Sequence, residues 1–164
     1  MKKIVIINGT GGCGKDTFVE ICSKYIKVFN FSSIDKVKEI AKLIGWNGSK
    51  SDKDRKFLAD LKKLTTDYND FAFNSIKEAI NNFNNSNDEL MFIHIREPEE
   101  IKKVVDKFSV KTLLIKRENQ ELIKTNSSDA NVEDYNYDYI IINNTLEEYE
   151  SKAINFIKEL ENDK

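Results

Sequence analysis

An apolar segment that runs directly into a glycine-rich turn constrains this chain more than any other feature. Residues 4–7 read IVII, and residues 8–17 read NGTGGCGKDT. The spacing Gly9-x-x-x-x-Gly14-Lys15 is typical of a phosphate-binding loop, in which glycines let backbone N–H groups point toward an anion at the start of a helix. A lysine there neutralises the outer phosphates. A glycine-rich turn without a ligand is the alternative, but the order of apolar segment, loop and lysine favours a bound triphosphate.

The residue after the lysine departs from the common form of this loop. Asp16 stands where Ser or Thr usually follows, and the hydroxyl comes one residue later, at Thr17. Asp16 is either a polar residue stabilised by the helix dipole or a carboxylate that holds magnesium directly or through water. We favour the second interpretation and predict Asp16 and Thr17 as ligands of Mg²⁺. The predicted nucleotide-binding residues are Gly9, Thr10, Gly11, Gly12, Cys13, Gly14, Lys15, Asp16 and Thr17.

Strand-like and helical apolar patterns alternate along the rest of the chain. A long helical region is interrupted near 69–70, Pro98 begins another helix, and Thr145 begins the last one with Glu148 at capping-box spacing. The patterns place Tyr25 and Leu146 on the buried faces of the first and last helices. Strands are predicted at 4–7, 28–31, 90–95, 111–115 and 139–142. Such alternation predicts an α/β fold, a five-stranded parallel sheet flanked by helices, in a single domain over residues 1–164.

Composition and charge narrow the classes of partner. The chain has 26 Lys and Arg residues against 28 Asp and Glu residues, for a net charge of −2, and no basic stripe that would indicate nucleic acid. No apolar run is long enough to predict a membrane span. Cys13 and Cys22 do not form a Cys-x-x-Cys pair, so we expect free thiols in a reducing cytoplasm. We expect a small-molecule nucleotide as the partner, and a monomer or homodimer.

Two of the three arginines follow predicted strands. Arg96 comes after the third strand and Arg117 after the fourth, whereas Arg55 lies in a helical region. Ligands of parallel α/β sheets gather at the carboxyl ends of the strands. A guanidinium is a planar, bidentate donor for phosphate. We therefore predict that Arg96 and Arg117 face a phosphate, while a solvated surface position is an equal alternative for Arg55.

These motifs resemble those of P-loop nucleoside monophosphate kinases. The run GKDT at 14–17 resembles the phage-type deoxynucleoside monophosphate kinases more closely than the Gly-Lys-Gly-Thr of adenylate kinases. The segments FSSIDKVK at 31–38 and DYIIINNTLEE at 138–148 are similar to the second strand with its following helix and to the last strand and helix of that group. The resemblance implies a three-layer P-loop NTPase fold and transfer of a phosphoryl group from ATP, with Mg²⁺, to a nucleoside monophosphate.

The resemblance also implies roles for single residues. Lys15, Arg96 and Arg117 would be catalytic, with Arg96 on the acceptor phosphate and Arg117 entering from a lid at 119–134. Acceptor-site candidates are Asp35, Arg55 and Tyr68, of which Tyr68 either stacks on a base or packs.

One departure from the family keeps other functions open. Related kinases commonly have an Asp near the position that His94 occupies here. We interpret His94 as a core histidine rather than a catalytic one. The Gly-Lys-Asp segment also resembles phosphomevalonate kinases, so a non-nucleotide phosphate is an alternative acceptor. An ATP-binding module without turnover is a third possibility, which fold analogy cannot separate from an enzyme.

Overall fold

Strands and helices alternate along the chain in the order that the sequence predicts. The structure, a computed structural model, describes residues 1–118 and 131–163. The strands in this part of the chain are β1 (Lys3–Asn8), β2 (Val28–Ser32), β3 (Leu90–His94), β4 (Lys111–Arg117) and β5 (Tyr139–Asn143). Its helices are α1 (Lys15–Ser23), α2 (Asp35–Leu43), α3 (Asp52–Asn69), α4 (Phe71–Asn84), α5 (Pro98–Lys107) and α6 (Leu146–Asn162).

The five strands form one parallel sheet in the order β2-β3-β1-β4-β5. β1 lies at its centre, where Ile7 pairs with His94 of β3 on one side and with Leu113 of β4 on the other. The predicted five-stranded parallel sheet is confirmed. Because parallel strands end at the same edge, the loop after β1 and the residues after β3 and β4 share one edge of the sheet.

Apolar side chains cover both faces of the sheet. Val5 and Ile7 belong to the cluster formed with α1 and α6, whereas Ile6 between them belongs to the cluster formed with α4 and α5. This alternation follows from the two-residue repeat of a strand. Phe18 of α1 is fully buried, and its ring packs against that of Phe156 in α6 with centroids 5.6 Å apart. The sheet is therefore the middle of three layers, as its apolar strands require.

Three helix boundaries confirm the signals in the sequence. The Thr145 side chain accepts a hydrogen bond from the Glu148 backbone N–H at 3.3 Å, and Pro98 is the first residue of α5. Asp70, with φ of +57°, ends α3, and α4 begins one residue later. The predicted bend near 69–70 is thus a full break between two helices.

Two predicted core residues are exposed, so those two predictions were wrong. Tyr25 lies beyond the end of α1 at Ser23, is 48% exposed, and donates its hydroxyl to Glu150 Oε1 at 2.7 Å. Leu146 is the first residue of α6 and is 69% exposed, one turn before the buried Tyr149. For Tyr25 the helical repeat was extended beyond the end of α1. For Leu146 it was extended back to the first residue of α6, before the buried face of that helix begins. Among the described residues, no helix combines the length and the apolar character needed to cross a membrane.

Candidate functional site

The loop between β1 and α1 has a backbone shape that only glycine can adopt without strain. Gly14 has φ of +100°, and a Cβ on it would lie 2.4 Å from Asn143 Nδ2. Gly9 has φ of +153°, and a Cβ on it would lie 2.6 Å from the carbonyl oxygen of Ile115. Each glycine is therefore required both for its dihedral angle and for close packing. These two contacts explain why glycine stands at positions 9 and 14.

Side chains distant in sequence hold the loop in place. Asn143 Nδ2 donates to the Cys13 carbonyl oxygen at 3.0 Å, and the buried Tyr149 hydroxyl donates to the Gly14 carbonyl oxygen at 2.7 Å. Asn8 is fully buried, and its Oδ1 accepts from the Gly9 N–H at 2.8 Å. The loop is thus held by side chains of β1, β5 and α6.

The Lys15 ammonium lies over the loop. Lys15 is the first residue of α1, and its Nζ donates to the carbonyl oxygen of Gly9 at 2.6 Å and approaches that of Thr10 at 3.4 Å. The N-terminus of α1 adds the partial positive charge of its free N–H groups. Cation and helix end therefore act on the same small region, as anion binding requires.

The two predicted magnesium ligands lie in the first turn of α1. Asp16 and Thr17 are exposed, immediately after the lysine. Within residues 1–118 and 131–163, no group of three or more His, Cys, Asp or Glu side chains could hold a metal by itself. Magnesium is usually bound through one or two carboxylates together with the phosphates and water. An exposed carboxylate and hydroxyl beside a phosphate loop fit that mode of binding.

Arg117 reaches the loop from the end of β4. Its Nη1 donates to the Gly12 carbonyl oxygen at 3.2 Å. Next to this contact lies a cleft of about 220 Å³, lined by Thr10, Leu114, Ile115, Lys116, Arg117, Val132 and Glu133. The predicted arginine and the predicted loop are therefore in direct contact, on the β4 side of β1.

Arg96 follows β3, on the other side of β1. Asn8 Nδ2 donates to its carbonyl oxygen at 3.0 Å. Burial raises the pKa of the Cys13 thiol, while the nearby charges of Lys15 and Arg96 partly offset that rise. The charge of Arg96 therefore acts on Cys13, a residue of the phosphate loop. The structure thus brings Lys15, Arg96 and Arg117 to the same edge of the sheet.

His94 is half-buried at the end of β3, among charged groups of the site. Its Nε2 lies 2.8 Å from Asn30 Oδ1, and because an amide oxygen only accepts, the ring nitrogen donates. Burial lowers the pKa of His94. Asp16 and Asp35 act to raise this pKa, and Lys15 and Arg96 to lower it. His94 therefore has a satisfied hydrogen bond, as expected. It also lies close enough to charged residues of α1, of α2 and of the segment after β3 for them to affect its pKa.

The three acceptor-site candidates are not brought to one place. Asp35 begins α2, and its Oδ2 accepts from the Ser32 N–H at 2.8 Å. Arg55 and Tyr68 lie near opposite ends of α3, on opposite sides of the helix by its repeat of 3.6 residues. Tyr68 is 86% exposed. The stacking role of Tyr68 stays a prediction. Asp35 lies near His94, whose pKa its charge acts to raise.

A half-buried ion cluster that joins α3 to α5 was not predicted. Lys62 Nζ contacts Glu97 Oε2 at 3.0 Å and Glu100 Oε2 at 2.7 Å, and it lies 3.5 Å from Ser33 Oγ. Only 16% of the Lys62 side chain and 15% of the Glu100 side chain are exposed, against 45% for Glu97. We call Lys62, Glu97 and Glu100 the α3–α5 ion cluster.

The ionisation of this cluster follows from its burial and its charges. Burial acts to lower the pKa of Lys62, but Glu100 and Glu97 outweigh it, so this pKa is raised. Burial acts to raise the pKa of Glu97, but the Lys62 charge outweighs it, so this pKa is lowered. For Glu100 burial prevails over Lys62, and the pKa is raised. Both carboxylates thus contact the same ammonium, and Glu100, the less exposed of the two, is the one whose pKa is raised.

Several residues that support the site carry no motif. Asn8, Tyr149 and Lys62 act through contacts with residues 88, 135 and 35 positions away, respectively. A buried Asn at the end of an apolar strand is the one signal that the sequence offers for such a role, since a buried amide needs partners. Most of the predicted lid falls on residues 119–130, which lie outside the described residues.

Three solved structures resemble the fold over nearly the whole chain. A sugar kinase from Janibacter sp. HTCC2649 has a TM-score of 0.53 at 14% identity and covers 96% of this chain and 95% of its own. A thymidylate kinase from Ehrlichia chaffeensis has a TM-score of 0.52 at 10% identity, over 96% and 98% of the two chains. The shikimate kinase from Aquifex aeolicus has a TM-score of 0.51 at 12% identity, over 98% and 99%.

These comparisons show the fold. The chain has the three-layer α/β P-loop NTPase fold with a five-stranded parallel sheet, as predicted. No protein-family model and no curated protein matches the sequence. The three solved structures act on different acceptors according to their names, so the acceptor must be argued from the residues of this chain.

Proposed function

We propose that this protein transfers the terminal phosphoryl group of ATP to a nucleoside or deoxynucleoside monophosphate. One observation carries the proposal: cationic side chains of α1 and β4 meet at the phosphate loop, and a third, Arg96, follows β3 at the same edge of the sheet. Lys15 and Arg117 contact the loop directly, and the charge of Arg96 acts on Cys13 within it. Two arginines in addition to the loop lysine suit a second phosphate, because a guanidinium is a bidentate donor for phosphate.

The proposed chemistry is an in-line transfer. An oxygen of the acceptor phosphate forms a bond to the γ-phosphorus of ATP while the bond from that phosphorus to the β–γ bridging oxygen breaks, and ADP leaves. Lys15 and the loop N–H groups hold the donor phosphates, and Arg96 holds the acceptor phosphate opposite them. Arg117 offsets negative charge at the loop. Such catalysis consists mainly of positioning and charge stabilisation.

Magnesium would be bound by Asp16 and Thr17 in this proposal, together with the phosphates and water. It would supply charge neutralisation between two phosphate groups. Asp16 and Thr17 lie in the same first turn of α1 as Lys15. The supporting observation is their exposure in that turn.

A screen of acceptors tests the proposal. The protein is incubated with ATP, Mg²⁺ and each common ribonucleoside or deoxynucleoside monophosphate, and ADP release is measured against Lys15→Ala. We expect release with at least one monophosphate and none with the variant. Phosphomevalonate and shikimate are included as acceptors, since release with one of these would indicate a non-nucleotide acceptor.

A failed screen remains informative. If ATP binds in calorimetry but no acceptor stimulates ADP release, the nucleotide-binding module without turnover is the better description. If ATP does not bind, the assignment of the phosphate loop is itself wrong.

A further inference from the structure

The segment that carries Arg96 has no secondary structure of its own. Residues 95–97 lie between the end of β3 at His94 and the start of α5 at Pro98. Pro98 has no N–H, so the helix start supplies one fewer backbone donor. The placement of Arg96 therefore depends on contacts made to this short segment from other elements.

Two such contacts hold the segment from opposite sides. Asn8 Nδ2 donates to the Arg96 carbonyl oxygen at 3.0 Å, from beneath the phosphate loop. Lys62 contacts the carboxylate of Glu97, the next residue, at 3.0 Å, from α3. Glu100, one turn further along α5, receives the same ammonium at 2.7 Å. One contact ties the segment to the end of β1, next to the phosphate loop, and the other ties it to α3.

Lys62 also connects the segment to the predicted acceptor side. It lies two turns after Arg55 on α3, so both side chains leave the same side of the helix, about 10 Å apart along its axis. Lys62 Nζ lies 3.5 Å from Ser33 Oγ, in the turn that follows β2. A shift of α3 relative to the sheet would therefore change the Lys62 to Glu97 contact.

We propose that Lys62 is a positioning residue, which through Glu97 and Glu100 fixes the Arg96 backbone. The proposal rests on the proposed phosphoryl transfer for its kinetic consequence. Arg96 then meets the acceptor phosphate from a fixed backbone rather than from a free loop. The Glu100 carboxylate holds the Lys62 ammonium in place. The contact of Lys62 with Glu97 then restrains the backbone of Arg96, the residue before Glu97.

Lys62→Met tests the proposal, with Lys63→Met as the matched control. Lys63 is the next residue of α3, and its side chain is 76% exposed in an ion pair with Asp67. With the acceptor identified in the screen, we expect Lys62→Met to lower kcat by about ten- to hundredfold, the scale of a misplaced positioning contact. The affinity for ATP should stay within about twofold of the parent, because the Lys62 contacts lie away from the loop. Lys63→Met should resemble the parent, and Lys62→Arg should recover most of kcat.

A second pair of variants covers a failure of Lys62→Met to fold. Glu97→Gln removes the charge next to Arg96 and leaves Lys62 paired with Glu100, whereas Glu99→Gln changes an exposed carboxylate in the same turn of α5. We expect Glu97→Gln, but not Glu99→Gln, to lower kcat. The proposal is wrong if Glu97→Gln, folded with the melting temperature of the parent, has the kinetics of Glu99→Gln.

Hydrogen–deuterium exchange separates this proposal from the proposed function. The amides of residues 95–101 in the free protein should exchange faster in Lys62→Met or Glu97→Gln than in the two controls. If the parent transfers no phosphoryl group to any acceptor, the proposed function fails, and this exchange alone decides whether Lys62 restrains the segment. Exchange equal to that of the parent would overturn the inference.

Discussion

Two sides of the site, the phosphate loop on one and the α3–α5 ion cluster on the other, differ in how their contacts are distributed along the chain. On the loop side, Lys15 contacts the carbonyl oxygen of Gly9, six residues away. On the α3 side, Lys62 contacts Ser33, Glu97 and Glu100, which are 29, 35 and 38 residues away. The residues predicted to bind phosphate on the loop side lie within one short motif, although Asn143 and Tyr149 hold that motif from far along the chain. The contacts of the α3 side all join residues that only tertiary structure brings together.

This difference has an energetic side. Backbone groups at a helix N-terminus are the main phosphate donors of such a loop, so side-chain changes should matter most at the glycines, at the lysine, and at Asn8, Asn143 and Tyr149, which hold the loop. The α3–α5 ion cluster is half-buried, and removal of one partner leaves the others with an uncompensated charge. Substitutions should therefore act sharply and locally on the loop side, and through displaced neighbours on the α3 side.

Lys15→Ala should have the largest effect on ligand binding. The ammonium is the one side-chain cation at the start of α1, and loss of a charged partner at such a site costs about 2–5 kcal/mol of binding free energy. Calorimetry with ATP and Mg²⁺ should show affinity lost by at least about thirtyfold, with an unchanged melting temperature. Lys24→Ala, at the other end of α1, is the control. Equal affinities in the two variants would remove the phosphate-loop assignment.

Arg96→Lys should have the next largest effect, on turnover rather than on ATP binding. A lysine keeps the charge but loses the planar pair of donors that grips a phosphate. We expect kcat with the right monophosphate to fall by about a hundredfold, the scale of a lost positioning contact. ATP affinity measured in parallel should be nearly unchanged. If turnover is retained, the acceptor phosphate is held elsewhere and the α3 side needs a different interpretation.

Gly14→Ala compared with Gly45→Ala tests whether the loop side depends on close packing or on dihedral angle alone. Both glycines have similar positive φ, +100° and +106°, so both variants carry a backbone strain of about 1–2 kcal/mol. A Cβ at Gly14 would also displace Asn143, whereas at Gly45 it meets nothing within 4 Å. Melting temperatures should fall in both, and further in Gly14→Ala. Weaker ATP binding in both variants would contradict the packing argument.

Local patterns predicted the fold and the loop side well, for reasons that these glycines illustrate. Apolar runs placed the strands because these bury both faces, helical periodicity placed helices because each buries one face, and Gly14 is specified by its own dihedral angle. Leu146 and Tyr25 were misplaced because a helical repeat does not show where contact with the sheet ends. Lys62 could not be predicted, since a lysine among lysines on α3 gives no sign of the two carboxylates that α5 brings to it.

Asp16→Ser should have a smaller effect, on the metal dependence of ATP binding. The carboxylate repels metal-free phosphates and favours Mg²⁺, so its removal should improve binding of metal-free ATP and reduce the gain from magnesium. Affinities for ATP with Mg²⁺ and with EDTA give this ratio for both proteins. Identical ratios would leave Asp16 as a residue that merely starts the helix.

The smallest expected effect is a shift in the titration of His94, which reports both sides of the cleft at once. His94 is the only histidine of the chain, so its imidazole resonances in a proton NMR titration are unambiguous. Burial lowers its pKa below the ordinary value of 6.5, and Asp16 acts against this, so Asp16→Asn should lower the pKa further. A bound triphosphate adds negative charge next to Lys15 and should raise it. A bound monophosphate near Arg96 should raise it as well.

The same depressed pKa fixes the sign of a stability effect. A group whose folded-state pKa is lowered stabilises the fold above its unfolded-state pKa, and this contribution is lost as the pH falls through the folded-state value. The melting temperature of the parent should therefore fall more steeply below about pH 6.5 than that of His94→Gln, which keeps a donor toward Asn30 but does not titrate. If the melting temperatures of the two proteins have the same pH dependence, the pKa of His94 is not lowered in the fold. If neither nucleotide moves the pKa of His94, the imidazole lies outside the site and does not report on its two sides.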